Sequence, residues 1–208
     1  MRTKLNKSLA GAAVFGLVLA MGPVAATADD HNDTSLAEVL DIGNQAFDST
    51  NTDFDILTAA INAVLDAKPT SAVAVLADGD TALTAFIPTD GAFRKLVRQL
   101  GNHSWRTMTE AQVFAAVAGL GIDNVEKVLL HHVVVGPAVD LKAAVGSDGA
   151  VLTSAASQPL EVSVGTSLRL LGSVGFWQPS VNLARTDLNS GNMQLAHVIN
   201  NVIVPDLD

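Results

Sequence analysis

Three histidines stand in apolar stretches of the sequence, where an imidazole can serve as a metal ligand or a general base. His131 and His132 are neighbours in the segment 128–136, and His197 lies in the segment 195–205. If the first pair lies in a strand, adjacent side chains point to opposite faces, and the two imidazoles cannot easily bind one ion. Two histidines without a third identifiable ligand also make a poor zinc site.

Buried, hydrogen-bonded histidines are the interpretation that we favour for this pattern. We expect His132 to point inward between Leu and Val neighbours as a neutral side chain. The alternative is a site for a small ligand or a metal, or a hydrolase centre, built from His131, His132 and His197.

Asp90 stands where a strand-like run turns into a helix. The run Ala82–Ile87 is stopped by Pro88, and apolar positions recur at helical spacing from Phe93 onward. A carboxylate at this point can accept the free N–H groups of the helix and is favoured by the positive end of its dipole. We therefore predict that Asp90 is an N-cap, with a general base or a metal ligand as the alternative.

The two tryptophans are the candidate partner-binding residues. Trp105 follows Gly101 in a polar segment, and Trp177 lies between Gly175 and Pro179. Because exposed tryptophans often anchor protein interfaces, both segments are candidate recognition surfaces. The alternative, that the two indoles cover the core, fits the sequence equally well.

The composition excludes several classes of function. The 208 residues include 12 Lys and Arg, 21 Asp and Glu and no Cys, which gives a formal charge of −9. Without Cys, the chain cannot form disulfides, iron–sulfur clusters, Cys-based zinc sites or a thiol nucleophile. The acidic balance argues against nucleic acid as a partner. The sequence has no nucleotide-binding loop and no hydrolase or zinc-protease signature, so we expect neither a cofactor nor an enzyme.

The first 28 residues predict a secretory signal peptide. A basic start precedes the uncharged run Ser8–Ala20, and Ala26–Ala28 forms a small-residue cleavage site. A membrane anchor is the alternative, but the run is short for a span of about 20 apolar residues. We therefore expect an extracytoplasmic protein, secreted or periplasmic, without a membrane span after cleavage and with cell-surface association left open.

Helical signals dominate the first half of the chain, and strand signals dominate the second half. Capping residues followed by apolar positions at spacings of three and four predict helix starts at 35, 51–53, 90, 107–110 and 123. Strands are predicted for the apolar runs 73–76 and 82–87, and then for seven short β-branched runs: 132–135, 151–153, 160–164, 168–171, 181–183, 195–199 and 202–204. This segregation predicts an α+β domain over 35–205, after a short acidic leader (29–34) and before a tail (206–208).

Three segments, in this order, resemble the signatures of the fasciclin domain family. Leu83–Phe93 is similar to the first signature, T-x-F-A-P-T-[DN]-x-A-F. Val128–Gly136 resembles the central L-L-x-Y-H-V-V-x-G segment, and Met193–Pro205 resembles the closing N-G-x-x-H-x-I-D-x-V-L-x-P segment. The matching positions that we expect to support the fold are Pro88, Thr89, Asp90, Phe93, His131, His132, His197 and Pro205.

The resemblance implies a fasciclin-like β-wedge or sandwich of about seven strands, with flanking helices concentrated in the N-terminal half. It also implies an exported, non-catalytic adhesion or interaction module that binds an extracellular or cell-surface protein or polysaccharide. Three departures from the family pattern matter: His131 replaces the usual Tyr, Met193-Gln194 stand where Asn-Gly is typical, and Asn200 replaces the usual Asp. Animal members have been linked to integrin binding through the Tyr-His and Asp-Ile regions, which this chain alters at His131 and Asn200, so integrin recognition is not inferred for it.

Overall fold

The computed structural model describes residues 33–41, 46–174 and 177–207. The signal peptide predicted for residues 1–28, and most of the acidic leader, lie outside these ranges. The helices are α1 (Leu36–Val39), α2 (Asp55–Ala67), α3 (Asp90–Gln99), α4 (Glu110–Ala118), α5 (Ile122–His131) and α6 (Leu141–Val145), with a 3-10 helix at Ala72–Ala77. The strands are β1 (Leu83–Pro88), β2 (Val133–Val135), β3 (Val151–Thr153), β4 (Pro159–Val164), β5 (Leu168–Leu171) and β6 (Gln194–Ile199).

The six strands of the described residues form two sheets of three strands each. In the first sheet, β1 lies between β2, which is antiparallel to it, and β6, which is parallel to it. The second sheet has the order β3–β4–β5 and is antiparallel throughout. The mixed α+β class is as predicted, with helices concentrated in the N-terminal half.

Three predicted strands are wrong. Residues 181–183 contribute only an isolated bridge between Val181 and Ile199, and residues 202–204 have no regular structure. The apolar run at 73–76 lies in the 3-10 helix, where the Ser71 hydroxyl accepts the N–H of Val73 and starts the turn. Short apolar runs do not by themselves distinguish strands from buried helical turns, so packing decides their structure.

Capping chemistry sets several helix starts. Ser35 and Glu38 form the predicted capping box, with the Glu38 N–H donating to the serine hydroxyl at 3.3 Å and the Ser35 N–H to the carboxylate at 2.9 Å. The box predicted around Thr107 is instead formed two residues later, by Thr109 and Gln112. Glu110 therefore takes no part in a capping box, and its carboxylate belongs to the candidate site described below.

The central sheet separates two apolar cores. Because side chains alternate along a strand, Ala85 and Ile87 of β1 face the helices, whereas Phe86 faces the second sheet. Both faces of β1 and β6 are therefore buried, which explains why these strands read as continuous apolar runs. This layering also places Phe93 in the helical core and His197 on the side of the second sheet.

Within the described ranges, no helix has both the length and the apolar character that a membrane crossing requires.

Candidate functional site

His132 joins the end of α5 to the last segment of the chain. Its Nδ1 donates to the backbone oxygen of Val128 at 2.6 Å, and its Nε2 accepts the N–H of Ile203 at 2.9 Å. These partners fix the neutral tautomer with the proton on Nδ1. Burial lowers the pKa of His132 to about 3, opposed by the Val128 carbonyl and reinforced by the neighbouring His131. With both nitrogens occupied, this imidazole holds the fold and has no free atom for a ligand.

His131 is the last residue of α5 and His132 is its C-cap, so the strand predicted for 132–135 begins one residue later, at Val133. Adjacent residues of a helix are only about 100° apart, so both imidazoles can be buried between packed elements. The Nδ1 atom of His131 lies 2.8 Å from the hydroxyl of Ser154. Burial lowers the pKa of His131, and the backbone of Gly172 opposes that shift.

His197 lies in β6 and faces the second sheet. Its Nε2 donates to the Val139 oxygen at 2.7 Å, and its Nδ1 accepts the N–H of Asp187 at 3.4 Å. The ring stacks on Phe86, with 5.9 Å between ring centres. The apolar cavity beside it measures about 60 Å³.

The structure does not assemble the three histidines into one site. Among the described residues, His131, His132 and His197 share no hydrogen-bond partner. The groups of three potential metal ligands in the same part of the chain consist of Asp and Glu alone. Nothing in this geometry favours the histidine-based metal, ligand or hydrolase centre.

Asp90 caps a different helix from the one predicted. It is the first residue of α3, and the N-cap position belongs to Thr89, whose side chain makes no capping bond. The Oδ1 atom of Asp90 instead accepts the N–H of Ile56, in the first turn of α2, at 3.0 Å. Its own N–H donates to the backbone oxygen of Asp53 at 3.1 Å. Asp90 therefore ties the starts of α2 and α3 together.

The starts of three helices meet at an acidic cluster. We define the acidic cluster as Asp48, Asp53, Asp55, Asp90 and Glu110. Asp55, Asp90 and Glu110 are the first residues of α2, α3 and α4, and all three are buried. Since helix N-termini favour negative charge, each carboxylate is well placed in its own helix. Their convergence was missed in the sequence because it depends on helix packing.

Burial and mutual repulsion perturb the acidic cluster. Burial raises the pKa of Asp90 to about 8, opposed by the Ile56 N–H and reinforced by Asp53 and Glu110. Burial also raises the pKa values of Asp55 and Glu110, and the charges of Asp53 and Asp48 add to both shifts.

The guanidinium of Arg94 lies against one side of this cluster. Its Nη2 is 3.7 Å from Oε1 of Glu110, and its Nη1 donates to the backbone oxygen of Met108. Arg94 is also part of a second feature on the adjacent surface, because its side chain lines an open groove.

This second feature is a basic–aromatic groove of about 660 Å³ beside α3. We define the basic–aromatic groove by the four cations and two indoles that line it: Arg94, Lys95, Arg98, Arg106, Trp105 and Trp177. Ser49, Asn51, Gly91 and Met108 complete its lining. Three of these cations lie close together in space because residues 94, 95 and 98 are neighbours on the surface of α3. The loop after α3 adds residue 106.

Arg98 brings the two tryptophans of the sequence into one site. Its guanidinium carbon lies 5.0 Å from the ring centre of Trp177 and 5.7 Å from that of Trp105. Arg106 approaches Trp105 from 4.7 Å. Trp105 also packs against the helical core, whereas Trp177 is 40% exposed. Trp105 therefore covers part of the core, as the alternative interpretation predicted, whereas most of that interpretation does not apply to Trp177.

Asn200, one of the departures from the family pattern, supports the groove. Its side chain accepts the N–H of Ser180 at 2.9 Å and donates to the Ser180 hydroxyl at 2.8 Å. Its backbone oxygen accepts the Lys95 ammonium at 2.8 Å. Burial lowers the pKa of Lys95. Asn200 thus links the segment that follows Trp177 to the cations of α3.

Gln194, which stands with Met193 where the family pattern has Asn-Gly, is a buried polar residue that was not among the predicted site residues. Its Oε1 accepts the N–H of Leu36 at 2.8 Å, and its Nε2 donates to the carbonyls of Val75 at 2.9 Å and Asp78 at 2.6 Å. It therefore holds α1 and the end of the 3-10 helix against the first residue of β6. Its place in the third motif was the only sequence signal.

A protein-family model matches the part of the chain that contains the three motifs. The model of the fasciclin domain matches residues 55–205, and the chain belongs to the fasciclin domain family. Fasciclin domains are generally non-enzymatic modules of cell adhesion and interaction, typically found outside cells or at their surface.

Among solved structures, the chain is similar to a pair of fasciclin domains from the insect cell adhesion molecule fasciclin I. The TM-score is 0.48 and the sequence identity 17%, over 73% of this chain and 46% of that chain. The match thus spans about half the length of the solved pair. No curated protein matches the chain in sequence.

Proposed function

We propose that this chain is an exported, non-catalytic interaction module that binds an extracellular or cell-surface partner through the basic–aromatic groove. One observation carries the proposal. Four of the nine Lys and Arg residues that follow Lys7 line this groove, together with both tryptophans, in a chain of formal charge −9. Such a concentration of cations on an acidic protein focuses a local positive field toward a negatively charged partner.

The chemistry of the groove fits an anionic polysaccharide. A guanidinium can pair with carboxylate or sulfate groups in two-point fashion, and an indole offers a flat apolar face to a sugar ring. Arg98 lies between the two indoles and is exposed, so charge recognition and stacking are available at one place. A groove of about 660 Å³ is in the size range of small-ligand sites and suits a short stretch of a sugar chain.

The experiment compares retention of the purified protein on polygalacturonate with retention on uncharged dextran. We expect binding to polygalacturonate that weakens with added salt, because exposed charges are screened. Substitutions R98A and W177A should each lower the affinity by about tenfold or more, as expected for central interface residues.

The matched control is R169A, since Arg169 is an exposed arginine of β5 outside the groove lining. This variant should bind like the unchanged protein. The proposal is overturned if R98A and W177A bind as well as R169A does, or if dextran is retained equally. If the unchanged protein, R98A, W177A and R169A all bound a matrix protein with equal affinity, the recognition surface would lie outside the groove.

A further inference from the structure

The acidic cluster contains two overlapping sets of carboxylates. One oxygen from each of Asp53, Asp55 and Asp90 lies within 4.8 Å of the other two, and the same holds for Asp48, Asp53 and Glu110. Asp53 belongs to both sets. Opposite ligands of a Ca²⁺ ion are separated by about 4.6–5.2 Å, so the spacing within each set suits a bound ion, and Asp53 is the ligand that the two sets share.

A second observation concerns buried oxygens that lack a donor. Asp90 and Glu110 are fully buried, and one oxygen of each accepts a backbone N–H, from Ile56 at 3.0 Å and from Asp48 at 2.7 Å. The other oxygens, Oδ2 of Asp90 and Oε1 of Glu110, have no hydrogen-bond partner among the described residues, and neither does the buried Oδ1 of Asp53. Buried charged oxygens normally have a hydrogen-bond donor, a counter-charge or a metal ion.

The nearby protein cation does not balance this charge. Arg94 reaches one oxygen of Glu110 from 3.7 Å, beyond hydrogen-bond distance, and its Nη1 is engaged by Met108. In the part of the chain that the structure describes, Arg94 forms its ion pair with Glu110, and no ion pair joins it to the four aspartates of the cluster. Two means of neutralising the cluster are left: a proton shared between Asp53 and Asp90, or a bound divalent cation.

We propose that the acidic cluster is a Ca²⁺ site, with Asp53, Asp55, Asp90 and Glu110 as buried or half-buried ligands and the exposed Asp48 at its entrance. The donors are all oxygens, which hard cations prefer, and several carboxylates of mixed orientation suit Ca²⁺ better than the strict octahedron of Mg²⁺. The ion would link the starts of α2, α3 and α4. This inference does not depend on the proposed partner of the groove.

The experiment is a titration of the purified protein with CaCl2 by calorimetry at pH 8, with thermal unfolding in EDTA and in excess Ca²⁺. We expect one ion per chain, with a dissociation constant of about 0.1–1 mM as in other extracellular modules. Excess Ca²⁺ should raise the Tm by about 4 °C or more, and Mg²⁺ should do less.

Two variants test the ligands. D90N keeps an oxygen to accept the Ile56 N–H but loses its charge, and D53N makes the same change at a half-buried position. Both should lose the Ca²⁺-dependent rise in Tm and bind at least tenfold more weakly. D66N, at an exposed carboxylate of α2 outside the cluster, should respond like the unchanged protein. If D90N does not fold, D53N decides the result.

The proposal is overturned if the unchanged protein gives neither heat of binding nor a shift in Tm with Ca²⁺. A D90N variant that is more stable than the unchanged protein in EDTA, combined with the absence of a Ca²⁺ response, would assign the cluster to a shared proton instead. An equal Ca²⁺ response in D53N, D90N and D66N would place the ion elsewhere.

Discussion

The Nε2 atom of His132 accepts the backbone N–H of Ile203 at 2.9 Å, across 71 residues of sequence. This bond, together with the one that His132 donates to Val128, connects the end of α5 to the closing segment of the domain. Ile203 is itself fully buried in the core between the two sheets. The motif histidine therefore positions the chain end that covers this core.

We predict that H132A is destabilised by about 2–4 kcal/mol, because it leaves the Ile203 N–H and the Val128 carbonyl buried without partners. Urea unfolding followed by circular dichroism measures this loss. H103A is the control, since His103 is exposed and should change stability by less than about 0.5 kcal/mol. An H132A protein as stable as H103A would contradict the structural role.

The titration of His132 predicts a pH dependence of stability. Its pKa is about 3 in the folded protein and near the ordinary 6.5 when unfolded. Between these values the unfolded chain binds a proton that the folded chain does not, so stability is present above pH 6.5 and is lost as the pH falls toward 3. The slope from this group approaches about 1.4 kcal/mol per pH unit.

The measurement is the free energy of unfolding at several pH values between 4 and 7 for the unchanged protein and for H132Q. Other groups also titrate in this range, so the difference between the two proteins isolates His132. The difference between the two free energies of unfolding should decrease steadily as the pH is lowered, because only the unchanged protein loses the contribution of His132. A constant difference over this range would mean that His132 does not carry the proton linkage.

Local signals in the sequence predicted the class of the fold and much of the order of its helices and strands. The Ser35 capping box, the end of α2 near Pro69 and the strands β3 and β5 depend on neighbouring residues, and the structure has them close to where they were predicted. The three motifs also located the family. These features share short-range causes, namely capping, turn residues and periodicity.

The candidate sites depended on contacts between distant residues and could be predicted only in part. The tryptophans were singled out individually, but their meeting around Arg98 depends on how the end of α3 packs against the segment at Trp177. Asp90 was predicted to cap its own helix, whereas its carboxylate reaches Ile56 of another. Spacing along one chain contains no direct information on such partners.

Gln194 gives a third prediction. The substitution Q194A leaves the Leu36 N–H without its acceptor and removes one of the two donors to each of the carbonyls of Val75 and Asp78, and it should cost about 2–4 kcal/mol. Q194E should be at least as harmful above pH 5, because a carboxylate placed against two carbonyl oxygens cannot donate to them. Chemical denaturation of both variants, beside Q99A at an exposed position, measures the effect.

Equal stability of Q194E and the unchanged protein at pH 7 would show that the amide donors of Gln194 are dispensable. The pH dependence adds a check with a defined sign. A protonated glutamic acid can donate one hydrogen bond, so Q194E should recover part of its stability as the pH falls below its folded-state pKa.

Gly172 gives the last prediction, which concerns the end of β5. Its φ is +127°, a conformation that residues with a side chain rarely adopt, and a Cβ there would lie 2.4 Å from the backbone oxygen of Pro159 in β4. Backbone atoms of a paired strand cannot move aside cheaply, so G172A should be destabilised by about 2 kcal/mol or more.

The control for G172A is Gly165, at the other end of the same hairpin. A Cβ added to Gly165 would meet none of the described residues within 4 Å, and the φ of Gly165 lies outside the left-handed region. G165A should therefore keep the stability of the unchanged protein or gain about 0.5 kcal/mol from the stiffer unfolded chain. Thermal unfolding of G172A and G165A measures this contrast. Equal Tm values for the two variants would show that β4 and β5 do not approach each other this closely at Gly172.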